Sequence, residues 1–246
     1  MEFCDILQRF SIGILDENLA LLEHYKPQID MNLASYIDHT ILKADCTLED
    51  VKRICKEAIQ YHFPAVCVPP FYIKQAADFL ADSTVKVATV IGFPMGYSAT
   101  VAKVEEIKRA IDEGVSEVDV VVNICAIKSG MWNYVKNDID SVVMAAHLRG
   151  KIVKIIFETG LLSPTEIRNL CDICLETRPD FVKTSTGFNG EGATVEIVNL
   201  LKEMLQDKVK IKASGGIRTK SDAVRLIEAG ARRLGSSAGV SIVKEG

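Results

Sequence analysis

Residues 85–122 read VKVATVIGFPMGYSATVAKVEEIKRAIDEGVSEVDVVV, and the fold is decided by how this stretch is parsed. It opens with a β-branched run, Val85 to Ile91, which Gly92-Phe93-Pro94 closes. A helical pattern follows over Ala99 to Glu113, with Gly114 at the position where helices turn into the left-handed region. A second β-branched run, Glu117 to Val122, completes the unit. Strand, helix and strand at this spacing make a βα repeat feeding a parallel sheet.

The same alternation extends outward in both directions. Further strands are predicted at Ser35 to Thr40, Ala65 to Val68, Ile152 to Phe157, Phe181 to Thr184, Val209 to Lys212 and Arg233 to Gly235. Helical stretches lie between them, among them Thr47 to Tyr61, Met131 to Leu148 and Thr194 to Leu205. Thr47 with Asp50, and Ser163-Pro164 with Glu166, have the spacing of helix N-terminal caps, and Gly230 sits where a later helix ends. Eight βα units without a long linker favour a closed barrel over two domains, and 246 residues is near the roughly 250 of such barrels. An open doubly wound sheet is the alternative, but no GxGxxG follows the first strand. The expected fold is α/β: a single (β/α)₈ TIM barrel over 33–246. A helical extension over 1–32 precedes it, with Ile6, Phe10, Ile14, Leu19 and Leu22 at helical spacing and Pro27 near its end. That extension is expected to pack on the barrel or on a second subunit.

Composition excludes several classes. A net charge of −4 without a dense basic run gives no nucleic-acid track. The apolar runs are strand-length, so no membrane span is expected, and the N-terminus lacks the pattern of a signal peptide. Seven scattered cysteines read as reduced thiols in a cytoplasmic protein. Cys171 and Cys174 form a lone CxxC inside a helical pattern, which reads as two small buried residues one turn apart. The four histidines show no zinc spacing, and no metal or organic cofactor is expected.

Active sites of parallel barrels sit at the C-terminal ends of the strands, and here those ends are polar. Lys183 closes the apolar run Phe181-Val182. A buried lysine next to another cation releases its proton more readily, which frees the amine to attack a carbonyl. Lys212, at the matching place on the next strand, is such a cation; two ammonium groups 4 Å apart repel by about 4 kcal/mol at an effective dielectric near 20. The alternative is that both lysines are salt-bridged at the rim. Asp119 alternates with apolar residues in Glu117-Val118-Asp119-Val120-Val121 and shares a strand face with Glu117 and Val121. It serves as a proton shuttle, as a structural counter-ion, or as both. Lys210 has the parity of Lys212 but lies two residues deeper, where either a lumen salt bridge to Glu117 or a bulge accommodates it. Ser214-Gly215-Gly216 and Gly235-Ser236-Ser237 follow the last two strands and lead toward helices. Backbone N–H groups in such turns bind phosphate without a basic side chain. Arg218 is the nearest formal charge, with an outward salt bridge as its alternative role.

These residues also resemble the 2-deoxyribose-5-phosphate aldolase family. Asp180-Phe181-Val182-Lys183-Thr184-Ser185-Thr186-Gly187-Phe188 is similar to its Schiff-base segment, and Lys212-Ala213-Ser214-Gly215-Gly216-Ile217-Arg218-Thr219 to the segment of its second lysine. Glu117 to Val121 is similar to its proton-relay segment. Ile37-Asp38-His39-Thr40, Ala65-Val66-Cys67-Val68, Thr89 to Pro94 and Gly235-Ser236-Ser237 extend the similarity, which runs from about Ser35 to Val243. The resemblance implies a class I aldolase on a (β/α)₈ barrel. Its substrates are a sugar phosphate, 2-deoxy-D-ribose 5-phosphate, and acetaldehyde; the chain is expected to be a homodimer. It further implies Lys183 as nucleophile, with Lys212 and Asp119 moving protons. Asp38, Thr40 and Cys67 are expected at the sugar end, with Thr186 also in contact with substrate. Gly187, Gly215, Gly216, Gly235, Ser236 and Ser237 are expected around the phosphate. Some members end in a tyrosine that reaches the active site, whereas this chain ends Ile242-Val243-Lys244-Glu245-Gly246; Tyr97 also stands in a loop where smaller residues are expected. A phosphosugar isomerase or synthase, and a non-catalytic binder of phosphorylated metabolites, are the alternatives on the same fold.

Overall fold

A computed structural model describes residues 32–245, so the helical extension expected over 1–32 lies, but for Asn32, outside the described residues. Eight parallel strands pair in sequence order: β1 (Ile37–Thr40), β2 (Ala65–Val68), β3 (Lys86–Ile91), β4 (Glu117–Val121), β5 (Ile152–Ile156), β6 (Phe181–Lys183), β7 (Lys210–Ser214) and β8 (Arg233–Ser236). β8 pairs with β1 and closes the barrel. The helices around it are α1 (Leu48–Tyr61), α2 (Ile73–Phe79), α3 (Thr100–Asp112), α4 (Ile124–Lys128), α5 (Trp132–His147), α6 (Pro164–Thr177), α7 (Val195–Leu205), α8 (Lys220–Ala229) and α9 (Gly239–Lys244). None of the described helices is long and apolar enough to cross a membrane.

Local chemistry sets these boundaries. Thr47, Ser163 and Thr219 each accept the third helical N–H with their hydroxyl, while the acid at that position accepts the cap N–H in return. The predicted strands Ser35 to Thr40 and Val209 to Lys212 shift in detail. Leu33–Tyr36 forms a 3₁₀ turn before β1, and β7 runs on to Ser214. Cys171 and Cys174 are both buried in α6 with free thiols.

Two features hold the C-terminal rim of the barrel in place. Gly96 has φ +72°, and a Cβ there would lie 1.8 Å from the Val122 carbonyl oxygen, so only glycine lets the β3–α3 loop rest on the end of β4. Beneath that loop the buried Lys103 ammonium donates to Val121 O at 2.9 Å and to Asp138 at 2.7 Å, tying α3 and α5 to β4.

The barrel interior has two unlike sides. Ala65, Cys67, Ala88 and Val90 on β2 and β3 form an apolar cluster, against which Leu42 and Phe93 pack. The strands β4 to β8 and β1 supply charged groups that meet across the lumen. Lys210 is not among them. Its register is regular, opposite Phe181, and its side chain is exposed at the N-terminal rim with Nζ 5.5 Å from the Phe181 ring centroid. Glu117 is met instead by Lys154 from the adjacent β5 and by Arg233 from β8 across the lumen.

Candidate active site

At the C-terminal mouth a cavity of about 540 Å³ opens above β1, β6, β7 and β8. Lys183 stands on its floor, 3% exposed, and among the described residues is the sole lumen lysine that lines it. Its Nζ donates to Asp119 Oδ2 at 2.9 Å. Lys212 donates to the same oxygen at 2.8 Å and to Asp38 Oδ2 at 2.5 Å. One carboxylate oxygen thus separates the two ammonium groups, which register pairing places side by side on β6 and β7.

The surroundings of the two lysines differ. Burial alone would lower the Lys212 pKa, but Asp119 and Asp38 outweigh it and hold that ammonium above the ordinary lysine range. Lys212 therefore rests as a protonated amine below the cavity floor. Lys183 shares a single carboxylate oxygen and reaches the open space, so an incoming carbonyl meets this amine first. Burial likewise would raise Asp119, yet the ammonium groups of Lys154, Lys183 and Lys212 hold it well below the usual carboxylate range. Asp38 is drawn down to about 2: burial opposes the shift, and Lys212 and Arg233 override it.

Lys154 is the charged member that the sequence reading did not single out. It is fully buried on β5, and its Nζ donates to Asp119 Oδ1 at 2.8 Å and pairs with Glu117 Oε2 at 2.6 Å. The signal was present in Ile152-Val153-Lys154-Ile155-Ile156, a lysine between apolar residues on an inner strand, the pattern that marked Asp119 on β4. Arg233, which follows Arg232 and so lacks that pattern, is the other such member; its guanidinium bridges Asp38 at 2.7 Å and both oxygens of Glu117 at 2.9 Å.

The other expected site residues fall into two groups. Thr40, Thr186, Gly187, Gly215, Gly216, Gly235, Ser236 and Ser237 all line the cavity, as do Arg218 and Phe188. Asp38 and Cys67 do not. Asp38 is fully buried beneath, with both oxygens engaged by Lys212 and Arg233. Cys67 is fully buried in the apolar half, where burial pushes its thiol up to about 11. Gly215 and Gly216 have φ of +87° and +79°, and a Cβ on Gly192 would lie 2.2 Å from Gly215 O. The β6–α7 loop and the β7–α8 turn thus touch backbone to backbone. Ser236 Oγ donates to Ile217 O at 2.8 Å and accepts from Ala238 N at 3.0 Å, which joins this turn to the one after β8. The result is a rim of backbone amides beside the lysine floor, suited to an anionic group at one end and a carbonyl at the other.

A closed parallel barrel with a buried amine on its cavity floor, a shared carboxylate and a glycine-lined anion rim defines a carbonyl-chemistry enzyme of the aldolase class. Residues 32–245 match the DeoC/LacD family of aldolases, and the chain belongs to that family. It is 48% identical over 214 residues to the deoxyribose-phosphate aldolase of Caldicellulosiruptor saccharolyticus, covering 87% of this chain and 97% of that one. It is 50% identical over 214 residues to that of Thermococcus kodakarensis, covering 86% and 96%. Among solved structures, the tetrameric deoxyribose phosphate aldolase from Aeropyrum pernix superposes with a TM-score of 0.83 at 32% identity, over 89% of this chain and 93% of that one.

Proposed function

We propose that this protein is a class I aldolase that reversibly cleaves 2-deoxy-D-ribose 5-phosphate to acetaldehyde and D-glyceraldehyde 3-phosphate, with Lys183 as the Schiff-base nucleophile. The observation that carries the assignment of roles is the asymmetry of the two lysines: Lys183 on the cavity floor, Lys212 locked between two carboxylates below it.

The Lys183 amine adds to C1 of the open-chain sugar, giving a carbinolamine. Loss of its hydroxyl as water, with a proton delivered through Lys212 and Asp119, leaves a protonated imine. Removal of the C3 hydroxyl proton lets the C2–C3 electron pair flow into that imine. Glyceraldehyde 3-phosphate departs and an enamine remains on Lys183. Protonation at C2 restores the imine, and water releases acetaldehyde and the free amine. Thr40 and Thr186 face the sugar, and the backbone at Gly187, Gly215, Gly216, Gly235, Ser236 and Ser237 holds the phosphate. Asp38 acts from beneath by fixing Lys212. Cys67 contributes shape to the apolar wall.

Breakdown of deoxyribose phosphate in the cytoplasm is the setting that fits, since the six cysteines among the described residues are free thiols. Self-association as a homodimer is proposed with it. The direct test is borohydride reduction in the presence of 2-deoxyribose 5-phosphate, followed by peptide mass mapping. A reduced adduct on Lys183 is expected; no adduct on the folded protein would remove the aldolase assignment.

A further inference from the structure

Glu158, the second residue after β5, takes φ +61° and ψ +57° although it carries a full side chain and is completely buried. Left-handed backbone at such a residue persists only where the surroundings over-determine it. Backbone bonds from Phe157 N–H to Lys183 O and from Thr159 N–H to Thr184 O, both 2.9 Å, hold the segment on either side, and the side chain adds three more ties. Glu158 Oε1 accepts the Thr186 N–H at 3.0 Å, while Oε2 accepts the Thr186 hydroxyl and the Asn189 Nδ2 amide, the latter at 3.3 Å.

All three donors belong to the β6–α7 loop. This loop leaves the barrel directly after Lys183 and supplies Thr186, Gly187 and Phe188 to the cavity wall. Secondary ties run through the same groups. Thr186 Oγ1 accepts the Phe188 N–H at 3.0 Å, and Asn189 Nδ2 also donates to Pro94 O at 3.2 Å. The Phe188 ring meets Phe93 edge-on at 5.2 Å. Glu158 itself lines no part of the cavity, so its effect on a ligand passes through the loop.

We propose that Glu158 is a positioning residue that sets the β6–α7 loop at the height where the Gly187 backbone meets the substrate phosphate. This deepens the aldolase reading and rests on it. A carboxyl group suits the task because both its oxygens accept hydrogen bonds and neither donates. Glutamine would turn an NH₂ group toward Asn189 Nδ2 and reverse the Thr186 hydroxyl, leaving one of the three bonds intact. Aspartate is one methylene shorter and does not span the same gap.

The test uses Glu158→Gln and Glu158→Gly, the second because glycine adopts φ +61° without strain. Two readouts are compared: steady-state cleavage of 2-deoxyribose 5-phosphate, and borohydride labelling of Lys183 by acetaldehyde, which carries no phosphate. Glu158→Gln, which keeps the Thr186 N–H bond, is expected to raise KM for the sugar phosphate by about tenfold, the size of one to two lost hydrogen bonds, and Glu158→Gly, which loses all three, by more than that. Turnover at saturation and the rate of acetaldehyde labelling should stay within about threefold of wild type, on the same footing of a loss confined to phosphate binding. An unchanged KM, or a parallel loss of KM-dependent cleavage and acetaldehyde labelling, overturns the proposal, as does failure of Glu158→Gly to fold. Wild-type protein that takes no label from acetaldehyde refutes the aldolase reading itself, whatever the variants do.

Discussion

The two halves of the barrel interior solve the packing problem in opposite ways. On β2 and β3 the lumen is filled by Ala65, Cys67, Ala88 and Val90, small apolar groups with nothing to satisfy. Around the rest of the ring Asp38, Glu117, Asp119, Lys154, Lys183, Lys212 and Arg233 fill the lumen with seven ionisable side chains. Burying charges is unfavourable unless each meets its partner, and replacing such a set by apolar residues is often neutral or stabilising. Core packing therefore does not explain the charged half. It is explained by what it delivers, an amine at the cavity floor with its counter-charges already in place. The apolar half marks what the fold requires when no chemistry is asked of it.

Substitutions on the charged half should separate chemistry from support. Lys183→Ala is expected to reduce turnover by at least ~10⁴-fold and to abolish borohydride labelling, because the covalent route is lost. A Lys183→Ala protein that still turns over would place the nucleophile elsewhere. Asp119→Asn and Lys212→Leu should each lower kcat by ~10²-fold or more, the low end for lost acid–base catalysis, with trapping at Lys183 slowed in step. Lys154→Met leaves Asp119 and Glu117 short of a counter-charge in a dry site. A loss of about 3–5 kcal/mol is expected, read in denaturant titration or as a Tm lower by on the order of 10 °C.

Acid should act on the same half. Asp38 titrates near 3.8 when free and is drawn down to about 2 in the fold, so its folded pKa is the lower of the two. Its stabilisation is complete above the free value and is lost as pH falls toward about 2, amounting to about 2 kcal/mol. Wild-type stability should therefore fall faster than that of Asp38→Asn between about pH 5 and about pH 2. Equal slopes would show that Asp38 is no more stabilised as a carboxylate in the fold than out of it. Val90→Ala on the apolar half is the smallest perturbation. About 2 kcal/mol of stability should go with the lost packing, and kcat should remain within about twofold. A large fall in kcat there would erase the functional division between the halves.

Much of this architecture is legible along the chain. Strand and helix alternate with periods of two and 3.6, turns carry glycine, and helix starts carry reciprocal caps, all of which are local signals. They suffice for eight βα units, and the strand-end rule then points to Lys183, Lys212 and Asp119 from the chain alone. Parity along one strand is also local, which is why Asp119 is readable and Lys154 equally so, whereas Arg233 is masked by the adjacent Arg232.

Distance across the barrel is not local. Whether Lys210 reaches Glu117 depends on strand stagger, and closure puts it at the open rim while Lys154 and Arg233 take its place. Asp38 lies two residues before the cavity-lining Thr40, yet closure sets it against Lys212 and Arg233, out of the cavity. Glu158 has no periodicity to announce it, since its role comes from a left-handed turn and from a loop that begins 26 residues later at Thr184. Sequence determined which side chains the strands carry and at which end. Only the closed tertiary structure decided which of them meet, because pairing across a lumen is fixed by register and shear around the whole ring.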